Sequence, residues 1–279
     1  MELYLKALIM GIVEGLTEFL PISSTGHLIL TEQLIHFNYE HAKLFDVVIQ
    51  SGAIFAVCII YRARLARLFK GVFGCKSLPT LEIQEQRRLF LGLMIAFLPL
   101  ALLGLKFHKM IKAHLFHAIP VAAAFIIGGL IILWMERRPA TPTKLTLESI
   151  TPIDALKLGF FQALALIPGT SRSGATIIGG MFLGLSRTLA TEFSFFLAIP
   201  TLIMASLYEL WKARHEFVFS DAGILLTGTI AAFISAWLVI RVLISWVSKH
   251  NFIPFAWYRI AFGLLILLTH YGHFIQWQD

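Results

Sequence analysis

Charge is what this sequence has least of. Asp, Glu, Lys and Arg make up only 14% of its residues, against about 25% in a typical soluble protein. With 58% hydrophobic residues and a mean hydropathy of +0.79, that scarcity excludes an ordinary soluble domain. Lipid-facing positions must be apolar as well as core positions, so a bilayer-spanning bundle fits the composition. Cysteine is nearly absent: Cys58 lies in an apolar run and Cys75 in a basic loop, so no disulfide framework is expected. No polar segment gathers the basic residues. The net charge of +7 therefore does not point to nucleic acid, because the Lys and Arg sit at the ends of apolar runs, as in cytoplasmic loops. The features of a removable signal peptide are missing too. The first apolar run is interrupted by Glu14 and Glu18 and has no basic leading region, so Met1 is read as the start of the mature protein.

What the sequence does have is apolar length. Six segments are long enough to span, roughly 42–62, 86–106, 117–135, 188–211, 221–248 and 253–275, since a span takes about 20 residues. Two further apolar segments, 3–36 and 152–184, are broken midway by Pro21-Ile-Ser-Ser-Thr-Gly26 and Pro168-Gly-Thr-Ser-Arg-Ser-Gly174. Broken backbone at membrane depth is tolerated only within protein or beside water. Both read as re-entrant helical hairpins with polar tips.

The broken segments also align with each other without a gap. Gly11 falls on Gly159, Glu14 on Gln162, Ser23 on Ser171, Thr25 on Ser173 and Gly26 on Gly174. Each is followed by three candidate spans, and an odd number of spans inverts the second copy. The expected fold is an all-α polytopic membrane protein forming one membrane domain over 1–279. It would hold two inverted repeats, about 1–136 and 152–279, with the hairpin tips meeting near the midplane. The loop with Arg62, Arg64, Arg67, Lys70, Lys76, Arg87 and Arg88 is expected to be cytoplasmic. Alternation then puts Lys106–Lys112 and Lys212–Arg214 outside, Arg137–Lys157 inside, and both termini outside.

Ionisable groups in apolar helices are functional candidates by default. Glu14 and Glu18 are four apart and share a helix face; two such carboxylates could hold a divalent cation or divide into an acid and a base. Ser23-Ser24-Thr25-Gly26-His27 follows at a helix start, where free N–H groups attract anions. One hydroxyl, best placed at Ser23, is expected to cap the helix. Ser24 is left as a nucleophile, with His27 or Glu18 to take its proton. At the second tip, Ser171-Arg172-Ser173-Gly174 has the shape of a phosphate clamp, the favoured role for Arg172, which can in turn also serve as counter-ion of Glu14 or Glu18. Asp46, Gln162, Arg241 and Arg259 are expected to pair or cap helix ends, and Trp257 and Tyr258 to sit at the membrane interface.

The segments Glu14–His27 and Pro168–Thr176 resemble the two signature motifs of the bacterial undecaprenyl-diphosphate phosphatases of the bacitracin-resistance type. Phe45–Gly52, Glu192-Phe-Ser-Phe and Ile253-Pro-Phe-Ala-Trp-Tyr-Arg extend the likeness over nearly the whole chain, with Asp46 where that family more often has Glu. The resemblance implies hydrolysis of undecaprenyl diphosphate to undecaprenyl phosphate and phosphate, recycling the lipid carrier of peptidoglycan synthesis. It implies a multi-pass protein of the bacterial cytoplasmic (inner) membrane with its site facing outward, and a divalent cation, Mg or Ca. Its implied catalytic residues are Glu14, Glu18, Ser24, His27 and Arg172, with the metal at Glu14 and Glu18. Ser23, Thr25, Gly26, Ser171, Ser173, Gly174 and Thr176 would line the substrate site. The expected partners are the prenyl diphosphate lipid and membrane lipids, with no nucleic acid; whether the protein forms a homodimer is left open. Because inverted repeats with broken helices are also transporter architecture, movement of an anionic lipid or solute is the alternative reading.

Overall fold

A computed structural model describes the chain except residues 76–77, 139–140, 213, 215–220 and 274–279. Lys76, Ala213 and the end of the 253–275 segment thus lie outside the described residues. Those described form eleven α-helices and no strand. The first hairpin is α1 (Glu2–Thr17) and α2 (Ser24–Leu34); α3 (Ala42–Ile60), α4 (Arg62–Val72), α5 (Thr80–Leu115) and α6 (Ala118–Glu136) follow. The second hairpin is α7 (Pro152–Ala163) and α8 (Arg172–Phe182), followed by α9 (Arg187–Lys212), α10 (Ala222–Val247) and α11 (Ile253–Tyr271). Among the described residues, five helices (α5, α6, α9, α10 and α11) are long and apolar enough to cross a membrane. A sixth is gained if α3 and α4 count as one span.

The segment α4 departs from the sequence reading, which made it part of a basic loop. It leaves α3 at 80°. Its Leu68 and Gly71 are buried while Arg62, Arg67, Phe69 and Lys70 point outward. That amphipathic pattern is masked by the density of positive charge. The long α5 likewise begins well before the expected span.

Ion pairs and backbone bonds sort the helix ends into two sets. In the first, Lys6 at the start of α1 donates to the His36 carbonyl after α2 (3.1 Å), and His41 before α3 lies 3.9 Å from Asp221 before α10. In the second, Arg64 of α4 pairs with Glu148 (3.0 Å) and Lys144 with Asp154 of α7 (2.7 Å). Thr143 N–H and Lys144 N–H bond the Gly184 carbonyl after α8. Arg187 at the start of α9 pairs with Glu136 at the end of α6, and the Phe252 N–H before α11 donates to the same Glu136 (2.8 Å). The 19 residues of α3 run from the first set to the second, about 28 Å of helix. The two hairpins therefore open toward opposite faces.

Small residues let the hairpins lie against the spans. A Cβ at Gly11 or Gly15 of α1 would run into the backbone of α10 at Gly228 and Ala232. In the second hairpin, a Cβ at Gly159 of α7 would come within 2.6 Å of the Ala96 carbonyl of α5. Positions aligned in the sequence thus make the same kind of contact, each with a helix from the other half of the chain. The main core lies between, built from Phe19, Leu93, Leu158, Phe193, Phe195 and Phe196, all at most 3% exposed.

Candidate active site

Both hairpins are broken by the same backbone device. Ser23 and Ser171, aligned in the sequence, have φ of 71° and 72° and ψ of 100° and 116°. Positive φ is unfavourable for a residue with a Cβ, and such strain concentrates at functional sites. It turns the chain sharply so that α2 and α8 start at the tips.

The tips differ in how those helix starts are satisfied. Ser171 accepts the Gly174 N–H at 3.0 Å and caps α8. Ser23 occupies the same position before α2 but makes no side-chain cap bond, which corrects the expectation that it would. Its turn is held from outside instead, by His27. The His27 Nδ1–H donates to the Ser23 carbonyl at 2.7 Å, because that oxygen can only accept. Nε2 is then left to accept from the Tyr258 hydroxyl, 2.6 Å away. The His27 ring stacks on Phe262 at 4.1 Å. Tyr258 is 44% exposed as an interfacial aromatic would be, but its hydroxyl faces inward, which the sequence did not reveal.

Between the tips runs a hydrogen-bonded chain joining both halves. Ser24 donates from Oγ to Glu18 Oε2 at 2.6 Å. Glu18 Oε1 accepts from Arg172 Nη2 at 3.2 Å, and Arg172 Nη1 donates to the Ser194 carbonyl at 3.0 Å. Arg172 and Glu18 are buried to 8% and 6% side-chain exposure, so their attraction is little screened. Arg172 Nε is buried with no hydrogen-bond partner. Thr176 of α8 bonds the Ser194 hydroxyl at 2.6 Å and ties α8 to α9. Ser173 donates to the Leu20 carbonyl at 2.7 Å, fastening tip to tip. Gly26 packs against the Phe125 ring, where a Cβ would overlap it. Thr25 is exposed.

Glu14 sits one turn before Glu18, 1% exposed, and neither of its carboxylate oxygens has a hydrogen-bond partner. An unpartnered buried carboxyl costs several kcal/mol or so unless something neutralises it. The carboxylate pair is thus unequal: Glu18 is fully engaged and Glu14 is open. Among the described residues no group of three His, Cys, Asp or Glu is placed to hold a metal alone. Gln162, the counterpart of Glu14, donates to the Ala96 carbonyl and accepts from Thr201. The second hairpin therefore carries no matching carboxylate.

Fold and site together define a helical membrane protein with a serine, a carboxylate and an arginine converging between two hairpin tips. The family described as bacitracin resistance protein BacA matches residues 7–265, and the chain belongs to it. Among its relatives are proteins named undecaprenyl-diphosphatase from Nitrosospira multiformis and Dechloromonas aromatica. Both are 55% identical over 99% of this chain and over 98% and 97% of their own lengths. A third of that name, from Acidovorax ebreus, is 53% identical over 99% of this chain and 98% of its own.

Proposed function

We infer that this chain is a hydrolase that converts undecaprenyl diphosphate to undecaprenyl phosphate and inorganic phosphate. The observation that carries the chemistry is the Ser24–Glu18–Arg172 chain, in which a hydroxyl, its base and a guanidinium meet across two hairpins. The relatives' names speak for the hydrolase and not for transport.

In this reading the prenyl tail stays in lipid and the diphosphate enters between the tips from the outer face. Arg172 turns part of its fork from Glu18 to the phosphates, a geometry suited to bidentate binding. The first turn of α2, with no side-chain cap, offers its N–H groups to the phosphate oxygens. Ser24 Oγ bonds to the terminal phosphorus while its proton passes to Glu18 Oε2. The bond from that phosphorus to the bridging oxygen breaks, and undecaprenyl phosphate leaves with the electron pair. Glu18 passes the proton it took to that departing oxygen, which frees it to act as base again. Water then attacks the phosphoserine, giving one proton to Glu18; Ser24 Oγ leaves and recovers a proton from Glu18. The products are free Ser24 and inorganic phosphate. Positioning and charge neutralisation supply most of the acceleration, as in phosphoryl transfer generally. His27, engaged at both nitrogens, holds the strained Ser23 and through it the nucleophile.

The unpartnered Glu14 carboxylate fits a divalent cation, Mg2+ or Ca2+, which it would hold together with Glu18 once Arg172 turns part of its fork to the phosphates. Bound there, the cation would neutralise phosphate charge. The aligned hairpins, their opposite entry and their matched serine turns support two inverted repeats. The deciding measurement is phosphate release by purified protein in detergent, with undecaprenyl and farnesyl diphosphate compared, beside a liposome assay for lipid movement. Release with Mg2+, abolished by EDTA, is the expected result. Translocation without release would overturn the reading.

A further inference from the structure

Of the two most deeply buried ionisable residues among those described, Glu14 and Arg259, the second stands outside the reacting chain. Arg259 of α11 is 1% exposed, and among the described residues no carboxylate lies within ion-pair distance of it. All five of its N–H donors are nevertheless used. Nη1 donates to the carbonyls of Pro21 (3.1 Å) and Thr170 (2.9 Å), Nη2 to those of Gly169 and Ala124 (both 2.9 Å), and Nε to Phe125 (3.3 Å). One guanidinium thus joins the first tip, the second tip and α6. Pro21 and Gly169 are aligned positions of the two hairpins, so Arg259 takes the equivalent carbonyl from each.

We propose that Arg259 is a positioning residue that latches the two tips together and so sets the alignment of Ser24, Glu18 and Arg172. The proposal rests on the hydrolase reading and adds to it a residue that touches no reacting atom. Pro21 lies three residues before Ser24, and Thr170 two before Arg172. Neither the nucleophile nor the clamp can move independently of the carbonyls that Arg259 holds. A break in a helix frees carbonyls that the bilayer cannot satisfy, and two facing breaks free two sets of them. A planar donor with five N–H groups answers both sets at once. Apolar packing of the same volume would stabilise the fold at least as well as a buried charge without a counter-ion. What the guanidinium adds is a fixed distance between the tips. The surroundings are shaped to it: a Cβ at Gly128 of α6 would overlap the guanidinium.

The test is kcat and KM for phosphate release from undecaprenyl diphosphate, with a thermal scan, for the wild type, Arg259→Lys, Gly128→Ala, Arg172→Lys and the double Lys variant. Lys keeps the charge but offers three N–H donors for five carbonyls. We expect Arg259→Lys to lower kcat about 100-fold, the effect of a misplacement on the order of 1 Å, while KM stays within roughly threefold because the substrate contacts remain. Gly128→Ala, which displaces the guanidinium without altering it, should lower kcat in the same direction. If Arg259 acts through the placement of Arg172, the double variant falls little below Arg172→Lys alone; independent roles would multiply. The proposal is overturned by a folded Arg259→Lys with kcat within about twofold of wild type, or by fully multiplicative losses. It is also overturned if neither Arg259→Lys nor Gly128→Ala folds, which would leave Arg259 a structural residue only. Wild type that releases no phosphate would instead sink the hydrolase reading.

Discussion

At the scale of single residues, the two tip serines in matched conformations separate stability from chemistry. Ser171 caps α8, so Ser171→Ala should cost about 1 kcal/mol and show as a lowered melting temperature. Ser23 makes no cap bond, so Ser23→Ala should leave stability nearly unchanged and retain appreciable turnover. Ser24→Ala removes the hydroxyl that Glu18 holds at 2.6 Å and should abolish phosphate release in a protein that stays folded and still binds substrate. A Ser24→Ala rate within about tenfold of wild type, roughly 1.4 kcal/mol of barrier, would exclude the serine nucleophile and leave an activated water. Arg172→Lys tests the clamp. An ammonium cannot span Glu18 and the Ser194 carbonyl as the fork does, and it binds phosphate as a point charge. Activity should drop by about two orders of magnitude, the size of a lost oxyanion-type contact, and near-wild-type turnover would reduce Arg172 to a charge alone.

At the scale of elements, the hairpins depend on glycines that bring backbones together. Gly11→Ala in α1 and Gly159→Ala in α7 should each destabilise by about 1–3 kcal/mol, as overpacking does, because the added methyl meets a carbonyl that cannot yield. Gly104→Ala in α5, facing only the end of the flexible Leu166 side chain at 3.3 Å, is the control and should be neutral or slightly stabilising. A thermal scan of the three in detergent decides it, and equal behaviour of all three would remove the close-packing argument. The hairpins were legible in the sequence because Pro, Gly and Ser in the middle of an apolar run have few other uses. Glu14, Glu18 and Arg172 were legible because charge stands out against such a run. The latch was not. Arg259 stood out equally, but its partners are backbone carbonyls, which carry no sequence identity, so it read as half of an ion pair. Tyr258 and α4 were hidden for related reasons. An aromatic near a helix end reads as a membrane anchor whether or not its hydroxyl bonds inward, and dense Arg and Lys conceal the buried stripe of a short helix.

At the scale of the whole molecule, the open question is which set of helix ends faces out. The set joined through Arg64, Lys144, Glu136 and Arg187 also carries Arg62, Arg67, Arg87, Arg88 and Arg137, and a surplus of Lys and Arg marks the cytoplasmic side. The opposite set, holding Lys6, His36, His41 and Asp221, would then face outward, with the first hairpin opening on that side. This orientation brings Ser24 and Glu14 to the tip of a hairpin entered from outside, where a diphosphate released during wall synthesis would arrive. Leu81, at the start of α5, and His114, near its end, are both exposed and lie at opposite ends of one 36-residue helix, about 50 Å apart along its axis. Their accessibilities must therefore be opposite. In intact cells, Cys at His114 should react with a membrane-impermeant thiol reagent, while Cys at Leu81 and the native Cys75 should react only after the membrane is permeabilised. Reversed labelling would leave every contact of the site in place but turn its entrance to the cytoplasm. The enzyme would then meet only diphosphate made or returned on the inner side, and recycling would require a separate step to carry the lipid across.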